Sequence, residues 1–273
     1  MKSILIRTQE ETSESKLHPI IKFLCLPELF VTIFVIIIYV FVTQFVTEVN
    51  PLYVPENDSL SSYPFPNHNT FPIRILCVYS LGTPIAFSIV CFLVSLKFPT
   101  IMKKMYICAA FYLILTNFLC VSMITEILKN YVGRARPDMY ERCGKNAQYN
   151  TCQGLNGHDL KDSFKSFPSG HSSTAMSGMY LAALILKSGT TIKNISIAVI
   201  ELLCILFAFY IGASRIRDFR HHPDDVVAGL FIGFVVTHII WGASKRSVYP
   251  KENIVLNDNE TAPSGTEDIS SNV

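Results

Sequence analysis

The sequence predicts an all-α integral membrane protein built as a bundle of six transmembrane helices. Half of the 273 residues are hydrophobic and only 16% are charged, a balance unusual for a water-soluble chain of this length. Apolar runs long enough to cross a bilayer as helix, roughly 17 to 25 residues, recur six times. The basic residues form short clusters between these runs, and the net charge is only +2. A nucleic-acid partner therefore has no support.

The runs fall at 27–46, 75–96, 105–128, 172–188, 194–213 and 226–244. The first follows a polar and basic segment, 1–25, with no small-residue cleavage pattern, so it reads as a retained span rather than a signal peptide. The second and third are apolar stretches of full crossing length. The fourth, HSSTAMSGMYLAALILK, is the least hydrophobic and is rich in Ser, Ala and Gly. Such residues suit close helix packing inside a bundle, with a re-entrant or interfacial helix as the alternative. The fifth carries Glu201, an intramembrane carboxylate that is either functional or held by structural hydrogen bonds. The sixth is introduced by Pro223, a residue favoured at the first position of a helix. No internal repeat interrupts 26–246, which reads as one membrane domain. The segment 247–273, rich in Asn, Ser, Asp and Glu, reads as a disordered tail.

Six crossings put both termini on one side and the loops 47–74, 129–171 and 214–225 together on the other. Lys and Arg concentrate in the N-terminal segment, in the 97–104 loop, at Lys193 and after the last span, whereas 47–74 holds only Arg74. The positive-inside rule then makes the termini cytosolic and the opposite loops lumenal or extracellular. The loops 129–171 and 214–225 break that rule with many basic residues, and an anionic ligand accounts for the exception.

Three clusters face this compartment: KNYVGRARP from Lys129 to Pro137, KSFPSGHSS from Lys165 to Ser173, and SRIRDFRHHPDD from Ser214 to Asp225. Lys129, Arg134, Arg136, Arg215, Arg217 and Arg220 outweigh the nearby acids, and guanidinium forks match phosphate oxygens. A Ser169-Gly170 turn opening a helix offers free backbone N–H groups and a positive dipole end to an anion. His171 follows at once, placed to protonate a leaving alkoxide. Asp225, in the first turn of the sixth helix, is expected to reach back to His221 and fix its tautomer, leaving the other ring nitrogen as a nucleophile. A metal site is the rival reading, since His171, His221, His222 and Asp225 are acceptable ligands. The local cations already supply the charge neutralisation a divalent ion would bring, so no metal and no cofactor is expected.

These residues carry a resemblance. Lys129…Arg136-Pro137, Pro168-Ser169-Gly170-His171 and Ser214-Arg215…His221…Asp225 resemble, in order and spacing, the three-part signature of the type-2 phosphatidate phosphatase superfamily. Over about residues 25 to 245 the chain further resembles the lipid phosphate phosphatases. The resemblance implies a metal-independent phosphatase in which His221 is the nucleophile, Asp225 its orienter and His171 the acid and base. Lys129, Arg136, Ser169, Gly170 and Arg215 would bind the phosphoryl group. It implies a lipid phosphate substrate entering from the bilayer: phosphatidate, lysophosphatidate, diacylglycerol pyrophosphate, a sphingoid-base phosphate or an isoprenoid diphosphate. A membrane phosphatase for sugar phosphates and a non-catalytic lipid-binding relative are the alternatives.

Of eight cysteines, only Cys143 and Cys152 fall in a loop on the non-cytosolic side. They either pair across the loop, which would contribute about 2–3 kcal/mol, or remain free thiols. Asn57-Asp58-Ser59 forms a glycosylation sequon in the first outer loop. Together these features fit a secretory-pathway membrane.

Overall fold

A computed structural model describes residues 25–250 apart from positions 47, 66–67, 156 and 193. All but Cys25 of the polar segment expected at 1–25 and most of the tail expected at 247–273 lie outside the described residues. Among the described residues eight α-helices follow in order: α1 (Leu26–Phe45), α2 (Ile73–Lys97), α3 (Ile107–Val132), α4 (Met139–Cys143), α5 (Gly157–Ser163), α6 (Gly170–Gly189), α7 (Ile195–Arg217) and α8 (Pro223–Val248). The described residues contain no strand, only an isolated bridge between Met102 and Thr190.

Local chemistry sets the helix ends. Pro stands in the first turn of α1 and of α8, where its missing N–H costs nothing. Ser169 caps α6 and Asn194 caps α7 through side-chain oxygens. α3 stops at Gly133, whose φ of 60° is left-handed; a Cβ there would lie 1.7 Å from the Asn50 carbonyl oxygen. Glycine alone meets both demands.

Among the described residues five helices, α1, α2, α3, α7 and α8, are long and apolar enough to cross a membrane. The sixth long helix, α6, is at the centre, packed against α2, α3, α7 and α8, with most of its residues buried. That position explains its composition: a helix enclosed by protein needs close approach more than lipid solubility. A Cβ on Gly178 would stand 2.1 Å from the Ser80 carbonyl oxygen of α2. With 20 residues α6 is about 30 Å long, and its two ends meet opposite loop clusters. It therefore traverses the bundle rather than re-entering it. α1 packs on α3 and exposes Phe30, Phe34, Ile37 and Phe41. Glu201 of α7 accepts from Lys187 of α6 at 2.8 Å, so its carboxylate is engaged structurally between neighbouring helices.

At one end the segments 47–74, 130–169 and 218–225 bond to one another. Leu52 N donates to Gly133 O (2.9 Å), Tyr63 N to Pro137 O (2.9 Å) and Ser169 N to Asp225 O (2.9 Å). A small core of Val49, Val54, Met139, Tyr140, Cys143 and Phe164 lies beneath them, and Cys143 is disulfide-bonded to Cys152. At the other end Lys103 N donates to Gly189 O (2.8 Å) and Tyr106 N to Val248 O (3.0 Å). The grouping of loops by odd and even crossings is thus built into the hydrogen bonding.

Candidate active site

His221 lies in the tight turn between α7 and α8. The turn is drawn in by Arg220 N, which donates to Arg215 O at 3.0 Å, and His221 is left only 4% exposed. Its Nδ1 lies 2.7 Å from the Ser166 carbonyl. A carbonyl can only accept, so Nδ1 carries the proton and Nε2 keeps its lone pair. Nε2 faces the Arg136 guanidinium, with Nη1 at 3.3 Å. Burial, reinforced by the charges of Arg136 and Lys129, pushes the imidazole pKa well below its ordinary value. His221 is therefore neutral at physiological pH.

One expectation is corrected here. Asp225 stands 3.9 Å from His221 Nδ1, too far for a hydrogen bond. It caps α8 instead: Oδ2 accepts from His222 N (2.8 Å), His222 Nδ1 (3.2 Å) and Ser166 Oγ (2.6 Å), while Oδ1 accepts from Arg134 (2.7 Å). The carboxylate thus holds Ser166, and the Ser166 carbonyl holds His221. Asp225 was accessible to sequence reasoning, but Ser166, the residue in contact, was not. Its backbone oxygen has no side-chain signal.

The Pro-Ser-Gly-His turn lies beside this histidine and contains a cis Phe167–Pro168 peptide. Ser169 is fully buried and its Oγ accepts from Ser172 Oγ at 3.0 Å. A side chain at Gly170 would press on the Lys129 ammonium, 3.1 Å from the position of its Cβ, so the glycine admits that charge to the helix start. His171 is tied to the first loop, Nε2 lying 3.0 Å from the Phe71 carbonyl. Arg136 faces His221 and the Lys129 ammonium lies against Gly170, which brings the three signature segments together.

The expected excess of cations over acids is also revised. Arg136 donates to Asp162 from Nη2 (2.7 Å) and, through Nε, to the Asp162 carbonyl (2.7 Å). Arg220 donates to Asp138 and to Asp162, each at 2.8 Å. Arg215 is paired with Asp218 at 2.5 Å, which also accepts from Thr70 N and Oγ1, and Arg134 is paired with Asp224 and Asp225. Burial alone would raise the Asp162 carboxyl, but Arg136 and Arg220 hold its pKa down at about 2. Among the described residues Lys129 and Arg217 form no ion pair, and Arg217 is exposed. Asp138 and Asp162 escaped the sequence reading because their partners are remote in the chain. Arg136 and Asp162, for example, are 26 positions apart.

A cavity of about 530 Å³ opens beside Lys129 and Gly170 and extends to Tyr39 and Thr43 of α1, with Lys161 and Lys165 on its rim. It joins the charged cluster to the membrane-facing side of the bundle. No cluster of three or more His, Cys, Asp or Glu suited to a metal occurs among the described residues.

A buried histidine, arginines and a capped glycine turn thus gather at one end of helices long and apolar enough to cross a membrane, which marks an integral membrane protein. The chain belongs to the PAP2 superfamily, whose family model matches residues 106–249, that is α3 through α8. It is 31% identical to lipid phosphate phosphatase 1 of Arabidopsis thaliana over 69% of this chain and 57% of that protein. Two proteins of Saccharomyces cerevisiae are also similar. Diacylglycerol pyrophosphate phosphatase 1 is 30% identical over 47% of this chain and 48% of its own length. Lipid phosphate phosphatase 1 is 31% identical over 51% and 58%. The matches thus span about half the length of these relatives. No solved structure matches the chain.

Proposed function

We propose that this protein is a metal-independent lipid phosphate phosphatase, acting on phosphomonoester or diphosphate head groups such as those of phosphatidate or diacylglycerol pyrophosphate. The observation that carries the reading is His221: its Nδ1 faces the Ser166 carbonyl and its Nε2 faces Arg136, whose partner Asp162 lines, with Lys129 and Gly170, a cavity running to α1. Nε2 attacks phosphorus as the bond to the lipid oxygen breaks, giving a phosphohistidine. His171 donates a proton to the departing alkoxide, then takes one from the water that attacks the phosphohistidine and releases inorganic phosphate. Lys129, Arg136, Arg215 and the Ser169-Gly170 turn stabilise the equatorial oxygens, and Asp225 orients His221 through Ser166. The names of the similar proteins and the cavity beside α1 support a lipid rather than a soluble substrate, because acyl chains can stay in the bilayer while the head group enters. The termini are cytosolic and the site lumenal or extracellular, on the evidence of the basic residues at the 97–104 end.

The test is phosphate release by the purified protein in detergent, with EDTA present. The substrates would be phosphatidate, diacylglycerol pyrophosphate, a sphingoid-base phosphate, an isoprenoid diphosphate and a sugar phosphate. Release from the lipids in EDTA is expected. Activity that vanishes on chelation and returns with magnesium overturns the metal-free mechanism, and preference for the sugar phosphate overturns the lipid reading.

A further inference from the structure

The other end of the bundle carries a second charged concavity. A groove of about 1240 Å³ is lined by the cations Lys103, Lys104, Lys245 and Arg246 and by the apolar side chains of Phe92, Leu96 and Met105. No carboxylate stands among its described lining residues, in contrast to the reaction centre, where each buried arginine has an acidic partner. The walls are fixed: Tyr249 Oη donates to the Ile185 carbonyl at 2.9 Å, and Lys103 Nζ donates to the Ser188 carbonyl at 2.9 Å. His171 and Ser188 lie at opposite ends of α6, so the groove is about 26 Å from the reaction centre, at the 1.5 Å rise of a helix. That distance is close to the thickness of a bilayer core.

We propose that this groove binds the head group of an anionic phospholipid from the leaflet opposite the reaction centre. Charge complementarity favours this occupant. Lys104, Lys245 and Arg246, which form no ion pair among the described residues, suit a phosphodiester and a further negative group, while Phe92 and Leu96 offer an apolar wall on which the first methylenes of an acyl chain can lie. A soluble anion would leave that wall in water, and a zwitterionic lipid would leave the cations uncompensated. The site is independent of the phosphatase reading. Its ligand is a phosphodiester, which a phosphomonoesterase does not consume.

The experiment is native mass spectrometry of the full chain in detergent, titrated with phosphatidylserine and with phosphatidylcholine. Retention of phosphatidylserine over phosphatidylcholine is expected. The triple variant Lys104→Gln, Lys245→Gln, Arg246→Gln should bind it about a hundredfold more weakly, at roughly fivefold per cation, whereas His221→Ala should bind like the parent. Thermal unfolding checks that the variants are folded. Should the triple variant not fold, Lys104→Gln and Arg246→Gln alone are each expected to weaken binding about fivefold. Equal retention of the two lipids, or indifference to the substitutions, overturns the site. Loss of binding in His221→Ala would assign the lipid to the reaction centre instead. Displacement by equimolar inorganic phosphate would make the groove a small-anion site. Binding that appears only after removal of 251–273 would make that segment the occupant.

Discussion

His221 and His222 are neighbours in sequence and opposites in environment. Both ring nitrogens of His222 face fixed oxygens, Asp225 Oδ2 at 3.2 Å and the Leu60 carbonyl at 3.3 Å, so neither is turned toward a substrate. His221 spends only Nδ1 in this way. His221→Ala should lower turnover by at least about a thousandfold and abolish any acid-labile phosphoprotein. His222→Ala should stay within about tenfold of the parent, the loss coming from a weakened start of α8. His171→Ala should cost about 10²–10⁴-fold on a lipid phosphate and much less on an aryl phosphate, whose leaving group needs no proton. Turnover of the three variants on both substrates, with phosphoprotein trapped after short incubations, decides the assignment. A dead His222→Ala beside a His221→Ala that still traps phosphate would reverse it. The signature residues could be found from spacing because each motif is local. The carboxylate partner of Arg136 could not, since Arg136 and Asp162 meet across 26 positions and no local pattern encodes that meeting.

At the scale of elements, α6 is held by close approach. Gly178→Leu would drive a side chain into the Ser80 carbonyl of α2 and should destabilise the bundle by about 1–3 kcal/mol or more. Gly82→Ala and Gly242→Ala, with nothing within 4 Å of the added Cβ, should be neutral or slightly stabilising. Thermal unfolding of the three variants in detergent gives the comparison, and equal losses would mean that the packing is not close. α5 contributes through charge. Asp162, with its pKa held at about 2 in the folded protein against an ordinary value of 3.8, binds fewer protons folded than unfolded. Its stabilising contribution is therefore fully present above about pH 4 and is lost as pH falls through about 2. Asp162→Asn should remove that part of the acid transition, and an unchanged profile would show that the pairs with Arg136 and Arg220 contribute nothing. The six long helices were legible because each carries an apolar run. α4 and α5 carry none, and they are ordered by the cap core and the arginines rather than by periodicity. The fourth run was ambiguous for the same physical reason that α6 is central: Ser, Ala and Gly lower its hydropathy while allowing neighbours to approach.

For the whole molecule, the cap over the site is closed by the disulfide between Cys143 and Cys152, nine positions apart. Replacing both by Ser should lower stability by about 2–3 kcal/mol for so short a loop, seen as a lower unfolding temperature that reducing agent does not shift further. Sidedness needs a label at an accessible position. Ser163 falls in a polar stretch of sequence, yet it is fully buried, whereas the side chain of His158 is 95% exposed. A cysteine at His158 should react with an impermeant reagent from the lumenal or extracellular side, and one at Ser270 should not. Labelling of the Ser270→Cys chain from that side in sealed vesicles would invert the topology.

The bond from Ser169 N to the Asp225 carbonyl has a consequence for how the protein is made. It fastens the start of α6 to the start of α8, and the His221 ring rests on Ser166 just before it, so neither half of the site has its shape without the other. During synthesis the first five long helices can enter the bilayer while the reaction centre does not yet exist. Under the proposed function, a growing chain is inert toward lipid phosphates until α8 has been delivered.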